Sequence, residues 1–355
     1  MTEIDQSKPI RKGEELDIAV IEAFLKDNIP GLTGTLILTQ FPGGHSNLTY
    51  HVRVGEREFV LRRPPFGTKA KTAHDMNREY RIQKALRPVY PYCPEPLAYT
   101  EDESIMGCPF YVMERLKGII VRGDFPENMK LSPDQVARLY SNMLDVQIEL
   151  HQIDYRALGL ENFGKPDGYV RRQVEGWSKR YRAARTPDVP DCEEVMGWLA
   201  EKMPPDSPVP ALIHNDFRLD NAVLDPENPL RVIGVLDWEM ATLGDPLMDL
   251  GGSLAYWVQP DDPDEFKHMK MQPSLAKGAP TREEQVRMYA ERTGWNVDHY
   301  DFYYAFGLFR LGVIAQQIYY RFYHGQTQDQ RFQRLAFAVG LLDNQAKRVI
   351  AKSNL

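Results

Sequence analysis

The chain has 355 residues, of which 43% are hydrophobic and 26% are charged, and its formal net charge is −7. This length suits two lobes with sizeable cores, and the acidic balance gives no electrostatic reason to expect nucleic-acid binding. Three scattered cysteines and the lack of an apolar run long enough for a signal peptide or a membrane span favour a cytoplasmic protein with no membrane partner.

The first third of the chain has the pattern of an antiparallel sheet, and most of the remainder has the pattern of helices. Apolar residues at helical spacing from Leu16 to Phe24 predict a first helix, which Pro30 and Gly31 end. Strands are predicted at five places after it: residues 35–38, 48–54, 59–61, 96–100 and 107–113. Capping boxes that begin at Ser132 and Thr281 then predict the starts of two later helices. The predicted fold class is therefore α+β.

The loop between the first two predicted strands is suited to phosphate binding. Its candidate residues are Gly43, Gly44, Ser46 and Asn47. Glycines let backbone N–H groups approach phosphate oxygens closely, and the Ser and Asn side chains add further donors. A glycine hairpin is often an ordinary turn, so this interpretation depends on the motifs further along the chain.

Residues 169–185 form a basic amphipathic segment with six Arg or Lys side chains. One interpretation is a solvated helix face. The other is a dock for an anionic group of a substrate, because Arg binds phosphate with two hydrogen bonds and aromatic side chains suit an apolar chain. The candidate acceptor-binding residues are Arg171, Arg172, Trp177, Lys179 and Arg180.

Two apolar runs in the second half of the chain are each followed by polar residues that suit phosphoryl transfer. The first run leads to His214 and Asp216, Asn221 follows five positions after Asp216, and the second run ends at Asp237. Phosphoryl transfer uses one carboxylate to orient the attacking hydroxyl, and an amide and a carboxylate to hold Mg²⁺. We therefore predict Asp216 as the catalytic residue, with His214 bracing its loop, and Asn221 and Asp237 as metal ligands.

This spacing, His-x-Asp-x-x-x-x-Asn followed by a second Asp, resembles the aminoglycoside phosphotransferase and choline kinase-like family of small-molecule kinases. Residues 59–65 and 169–185 are similar to the kinase-like region fused to certain acyl-CoA dehydrogenases. The resemblance implies a bilobal, protein-kinase-like fold, with an N-lobe over residues 1–115 and a helical C-lobe over residues 116–355. It also implies ATP as the nucleotide, with GTP left open, together with Mg²⁺ and a small-molecule acceptor.

The resemblance further assigns residues to the nucleotide. These kinases carry a strand lysine that pairs with a helix glutamate and contacts the phosphates. Here Arg62 takes the place of the lysine, with Arg63 left open, and Glu79 is its predicted partner. Arg keeps the positive charge and adds a second hydrogen-bonding direction. Glu114 and Leu116 are assigned by resemblance alone to the hinge that binds adenine.

Members of the fused group are linked to phosphorylation of hydroxyacyl-CoA, so we favour an anionic, hydroxylated acceptor. An aminoglycoside or other cationic small molecule is the alternative, and the acidic loop at residues 261–265 is its only candidate pocket. A nucleotide-binding pseudokinase is the alternative without enzymatic activity. A metal-dependent hydrolase with His214, Asp216 and Asp237 as ligands is a further alternative. The lack of an Ala-Pro-Glu motif disfavours a protein substrate.

Overall fold

The structure is a computed structural model that describes residues 6–41, 47–66 and 75–355. The predicted phosphate-loop residues Gly43, Gly44 and Ser46 lie outside the described residues. The chain divides into two compact units. The sheet unit consists of Met1–Ile120 and Asn221–Met240, and the helical unit consists of Val121–Asp220 and Ala241–Leu355.

The sheet unit contains a five-stranded antiparallel sheet with the strand order β1-β2-β3-β5-β4. Its strands are β1 (Leu36–Gln40), β2 (Leu48–Val54), β3 (Arg57–Arg63), β4 (Pro96–Thr100) and β5 (Phe110–Glu114). Its helices are α1 (Ile18–Asn28), α2 (Met76–Leu86) and the short α3 (Glu103–Met106). Leu25 of α1 packs with alternate apolar residues of β2, such as Tyr50 and Val52, in one buried cluster. That alternation places one face of the sheet in the core, as the sequence pattern predicts.

Four short strands lie in the second half of the chain. They are β6 (Ala211–Ile213), β7 (Ala222–Leu224), β8 (Val232–Val235) and β9 (Thr242–Gly244). In the helical unit β6 pairs with β9, and in the sheet unit β7 pairs with β8, both antiparallel.

The β7–β8 hairpin gives the sheet unit different bounds from the predicted N-lobe of residues 1–115. Ile119 and Leu224 exchange two backbone hydrogen bonds of 2.8 Å, and the Val235 N–H donates to the Tyr92 carbonyl at 2.8 Å. These bonds satisfy backbone groups that would otherwise be buried without partners. The unit therefore extends to Ile120 and includes Asn221–Met240, which the sequence assigns to the C-lobe.

The helical unit is built from eight helices in the order of the chain. They are α4 (Pro133–His151), α5 (Tyr169–Ala184), α6 (Glu193–Glu201), α7 (Pro246–Leu254), α8 (Asp264–Lys267), α9 (Arg282–Thr293), α10 (Tyr300–Tyr323) and α11 (Leu335–Lys352). Both predicted capping boxes are confirmed, because Ser132 with Gln135 begins α4 and Thr281 with Glu284 begins α9. Within the described ranges, no helix combines the length and the apolar composition that a membrane crossing requires.

Helices α7 and α10 pack against each other through glycine. A Cβ atom built on Gly251 of α7 would lie 2.3 Å from the carbonyl oxygen of Tyr303. A Cβ atom built on Gly307 of α10 would lie 2.3 Å from the carbonyl oxygen of Gly251. Since both distances are far below van der Waals contact, any side chain at either position would push the two helices apart.

Candidate active site

In the helical unit, the loop after β6 is held by the buried carboxylate of Asp249 on α7. Its Oδ1 accepts the backbone N–H of Asn215 at 2.5 Å, and its Oδ2 accepts the backbone N–H of His214 at 3.3 Å. His151 contacts Oδ2 at 2.9 Å, and the Gln147 amide donates to the same oxygen at 3.2 Å. These contacts make Asp249 a brace of this loop.

Hydrogen bonds to the Asp249 carboxylate outweigh the effect of its burial. Burial by itself would raise the pKa of Asp249, but the hydrogen bond and the charge of His151, with smaller contributions from His214 and Gln147, lower it to about 2. The Asp249 carboxylate is therefore ionised over the whole physiological range. Its negative charge is therefore always present next to the backbone N–H groups of the loop.

His214 and Asp216 occupy different environments although they are two residues apart. The His214 side chain is completely buried, and its Nδ1 accepts the backbone N–H of Asp216 at 3.2 Å. The Asp216 side chain is 21% exposed. Asn215 between them has a φ of 67°, in the left-handed region, which turns the chain sharply at this point. The geometry agrees with a bracing role for His214, and the catalytic role of Asp216 stays a prediction.

Arg218 lies between two carboxylates of the same loop. Its Nε is 3.3 Å from Oδ1 of Asp216 and 3.1 Å from Oδ1 of Asp220. Its guanidinium carbon lies 4.5 Å from the centre of the Tyr256 ring. Arg218 has no predicted role. Its position two residues after Asp216 and two residues before Asp220 was nevertheless a usable signal.

In the sheet unit, Arg62 of β3 contacts three carboxylates. Its Nε is 3.2 Å from Oε2 of Glu79, and its Nη2 is 2.9 Å from Oδ1 of Asp237 and 3.7 Å from Oε2 of Glu239. The ion pair with Glu79 is the one that the sequence predicts. Arg63, the next residue, faces the other side of the strand and stacks on Phe66, with its guanidinium carbon 3.8 Å from the ring centre.

Asn47 and Tyr111 complete the surroundings of Glu79. The Asn47 side-chain amide donates to Oε1 of Glu79 at 3.0 Å and to Oε2 of Glu239 at 2.8 Å. The Tyr111 hydroxyl donates to Oε2 of Glu79 at 2.8 Å. Asn47 is thus buried against carboxylates here, and its predicted role toward phosphate stays a prediction.

Burial shifts both partners of the Arg62–Glu79 pair. It works against the charged guanidinium, but Glu79, Tyr111 and Asp237 outweigh it and raise the pKa of Arg62 well above its ordinary value. Burial also raises the pKa of Glu79, and Arg62 opposes that rise only in part. The charge of Arg62 therefore offsets part of the cost of burying the Glu79 carboxylate.

Asn221 and Asp237, the predicted metal ligands, flank the two ends of the β7–β8 hairpin. The Asn221 carbonyl accepts the N–H of Leu236 at 2.8 Å, one ladder position beyond the pairing of Ala222 with Val235. This bond brings Asn221 next to the residue that precedes Asp237. Asp237 has a φ of 67°, and its side chain is 34% exposed. An amide and an exposed carboxylate held together in this way fit the oxygen donors that Mg²⁺ requires.

The two predicted hinge residues lie at the end of β5 and just beyond it. Glu114 pairs with Arg87 at 3.4 Å, and its backbone N–H donates to the Glu95 carbonyl at 2.8 Å. Leu116 packs against Gly234. A Cβ atom built on Gly234 would lie only 2.2 Å from Cδ1 of Leu116. Their contact with adenine stays a prediction.

The predicted acceptor residues are all on α5, and they do not share one environment. Arg171 is largely exposed and lies 3.8 Å from Glu175, whereas Arg172 donates to the backbone carbonyls of Lys165 and Asp167. Lys179 is exposed. These side chains therefore do not form one cluster. Binding of the acceptor by any of them stays a prediction.

Of the predicted acceptor residues, Trp177 is linked to the loop after β6 through Arg310, and Arg180 lies on the same ring. The Trp177 ring is buried, with the guanidinium carbons of Arg180 and Arg310 at 4.6 and 5.5 Å from its centre. Arg310 of α10 donates to the backbone carbonyl of Asn215 at 2.8 Å. Arg310 has no predicted role, although it is the only charged residue within the apolar stretch 302–315, which was a usable signal.

Comparison with known proteins agrees with this geometry. The sequence model of a phosphotransferase enzyme family matches residues 37–302. Acyl-CoA dehydrogenase family member 10 of Mus musculus is 38% identical over 334 residues, which cover 93% of this chain and 31% of the mouse protein. The chain therefore spans about a third of the length of that relative. The predicted similarity to the kinase-like region of these dehydrogenases is confirmed.

Solved structures support the fold. A provisionally assigned aminoglycoside phosphotransferase from Ralstonia eutropha JMP134 has a TM-score of 0.78 at 31% identity and covers 94% of this chain and 99% of its own. A thermostable mutant of another aminoglycoside phosphotransferase, solved with AMP-PNP and hygromycin B, has a TM-score of 0.58 at 19% identity and covers 94% of this chain and 99% of its own. These likenesses confirm the predicted α+β, protein-kinase-like fold.

Proposed function

The chain belongs to the phosphotransferase enzyme family, and on that premise we propose that it is a kinase that transfers the γ-phosphoryl group of ATP to a hydroxyl of a small molecule, with Mg²⁺. The observation that carries this proposal is the double contact of Arg62 with Glu79 and Asp237. Kinases need a strand cation paired to a helix Glu, and an Asp that holds the metal, in one nucleotide site. A purely structural sheet would not need to bury these charges.

The residues of the two units have separate tasks in this proposal. Asp216 would accept a hydrogen bond from the acceptor hydroxyl, orient its oxygen toward the phosphorus, and take its proton as transfer proceeds. Asn221 and Asp237 would hold Mg²⁺, which when bound neutralises charge on the phosphate oxygens. Arg62 would contact the phosphates while Glu79 fixes its direction. The alternative of a pseudokinase is less favoured because no polar group of this set is missing.

An anionic acceptor is supported by the surroundings of α5. Arg180 stacks on the Trp177 ring, and Arg310 on the same ring donates to Asn215, the residue before Asp216. The guanidinium group suits a phosphate of the acceptor, and the aromatic ring beside it suits an apolar chain. We therefore propose a hydroxyacyl-CoA-like acceptor, whose hydroxyl comes with phosphates and an acyl chain.

The aminoglycoside alternative has support from the names of the solved structures, and it requires an acidic surface for a polycation. The acidic loop at residues 261–265 is a poor source of one. Asp262 is buried and forms an ion pair of 2.6 Å with Arg282, and Asp264 pairs with Lys267 at 2.9 Å. Two of its carboxylates are therefore already neutralised by neighbouring cations.

The experiment that tests the proposal is Mg²⁺-dependent ATP turnover against a panel of hydroxyacyl-CoAs and aminoglycosides, with Asp216→Asn beside the wild type. We expect ADP and a phosphorylated hydroxyacyl-CoA from the wild type only. Turnover of kanamycin-type substrates with none of hydroxyacyl-CoAs would show that the acceptor is cationic. Absence of transfer to every acceptor, with ATP still bound, would favour the pseudokinase.

A further inference from the structure

Arg218 forms an ion pair with Asp216 in the loop after β6. It follows Asp216 by two residues and precedes Asp220 by two. Its Nε lies within 3.3 Å of an oxygen of each carboxylate, and its side chain is only 18% exposed. The ring of Tyr256 lies against the guanidinium group, with the ring centre 4.5 Å from the guanidinium carbon.

These contacts restrain a group that is otherwise free to rotate. An Asp side chain turns about two bonds, and Asp216 is partly exposed, so its own burial does not fix it. The positive charge of Arg218 attracts both carboxylates at ion-pair distance, and stacking on the Tyr256 ring restricts the rotation of the guanidinium group itself. Asp220 adds a second anchor.

We propose that Arg218 is a positioning residue that holds the Asp216 carboxylate in the direction needed to orient the acceptor hydroxyl. Tyr256 keeps Arg218 in place through the ring contact, and Asp220 does so through the second ion pair. This inference rests on the proposed function, because it gives Asp216 the task of orienting a nucleophile. A misplacement of about 1 Å in such a group can lower the rate by about 100-fold.

The kinetic test compares Arg218→Ala and Arg218→Lys with the wild type, using MgATP and hydroxyacyl-CoA, and MgATP with water as the acceptor. In Arg218→Ala we expect kcat to fall by about 100-fold while the Kd for ATP stays the same, because Arg218 acts on the acceptor side. Arg218→Lys should recover part of kcat, and added guanidinium ion should rescue Arg218→Ala. Arg292→Ala is the matched control, because Arg292 pairs with Asp145 at 2.7 Å on a different surface.

Two results would overturn the proposal. One is a wild-type kcat in Arg218→Ala. The other is a parallel loss of kcat, ATP affinity and thermal midpoint without rescue by guanidinium, which would mean that Arg218 only stabilises the fold.

A crystal structure of Arg218→Ala tests the proposal without any turnover. We expect the Asp216 carboxylate to leave its wild-type position while His214 and Asn215 keep theirs. A carboxylate that stays in place would overturn the proposal even if the enzyme were slow. If the wild type transferred phosphate to no acceptor and not to water, the proposed function would fail, and this structure would still decide whether Arg218 positions Asp216.

Discussion

Arg62 donates from Nη2 to Oδ1 of Asp237 at 2.9 Å, so that the residue proposed to replace the kinase lysine directly contacts the residue proposed to hold the metal. The two residues are 175 positions apart in the chain. A guanidinium can serve Glu79 through Nε and Asp237 through Nη2 at the same time, which a single ammonium group cannot do in two fixed directions.

Arg62→Ala should therefore weaken ATP binding by about 10- to 100-fold, the range for loss of a charge-assisted hydrogen bond. Arg62→Lys should retain part of the affinity, since the charge survives and one of the two directions is lost. Isothermal titration with MgATP measures both. Arg63→Ala, which changes the opposite face of β3, should keep the wild-type affinity. The reverse result would be a loss of ATP affinity in Arg63→Ala and none in Arg62→Ala. It would show that the alignment of β3 with the kinase strand is off by one residue.

Asp216→Asn should abolish transfer while ATP still binds. The amide has nearly the shape of the carboxylate but cannot accept the proton, so we expect kcat to fall by about 10²- to 10⁴-fold. Steady-state turnover and equilibrium ATP binding separate the two effects. Near-normal turnover in Asp216→Ala would remove the catalytic assignment.

Asp237→Asn and Asn221→Ala should raise the Mg²⁺ concentration needed for half-maximal nucleotide binding. We expect a rise of at least about tenfold, because even outer partners of a metal site change its affinity by about 10- to 100-fold. A fluorescent ATP analogue titrated with Mg²⁺ provides the measurement. Glu227→Gln is the control, since it removes an exposed negative charge from the turn of the same hairpin. An unchanged Mg²⁺ requirement in both ligand variants would contradict the assignment.

Asp249→Asn should destabilise the protein and change its response to acid. The pKa of Asp249 is lowered from 3.8 to about 2 in the folded state, so the ionised form is the one that favours folding. The stability that it contributes is present in full above about pH 4 and is lost as the pH falls toward 2. A shift of this size corresponds to about 2 kcal/mol.

Urea unfolding at several pH values between neutrality and acid tests this prediction. The wild type should lose unfolding free energy below about pH 4, and Asp249→Asn should be less stable at neutral pH and lack that part of the acid dependence. Glu291→Gln, an exposed change on α9, should behave as the wild type. Equal unfolding free energies of the wild type and Asp249→Asn at neutral pH would contradict the role of Asp249 as a brace.

Arg180→Ala should raise the KM for an anionic acceptor and leave the Kd for ATP unchanged. The side chain lies on the Trp177 ring, where it would meet a phosphate group of the acceptor. Activity should also fall as salt is added, because salt screens exposed charges. Arg287→Ala, an exposed Arg on α9, is the matched control. An acceptor KM that responds equally to both substitutions would exclude a specific role for Arg180.

The local elements could be predicted from the sequence because they depend on neighbouring residues. The caps at Ser132 and Thr281 and the alternation along β2 are of this kind. The spacing of Asp216 and Asn221 likewise identified the family, since it belongs to one continuous loop. Each of these signals lies within about one turn of helix or one strand, where chain connectivity limits the possible geometries.

The contacts that organise the charges could not be predicted in the same way. Asn47 and Glu239 are 192 positions apart, and their hydrogen bond depends on where the β7–β8 hairpin packs. The inclusion of that hairpin in the sheet unit rests on backbone bonds to Tyr92 and Ile119, which carry no side-chain pattern. Arg218 is a different case, because its two Asp neighbours were visible but the Tyr256 ring behind it was not.

The close contact of Gly251 with Gly307 limits which substitutions this protein can accept during evolution. A single added methyl group at either position would shift α7, and α7 carries the Asp249 carboxylate that holds the backbone of the catalytic loop. Random mutagenesis with selection for activity should therefore recover almost no substitution at these two glycines. Directed evolution toward new acceptors would do better to vary α5 and to leave the α7–α10 contact as it is.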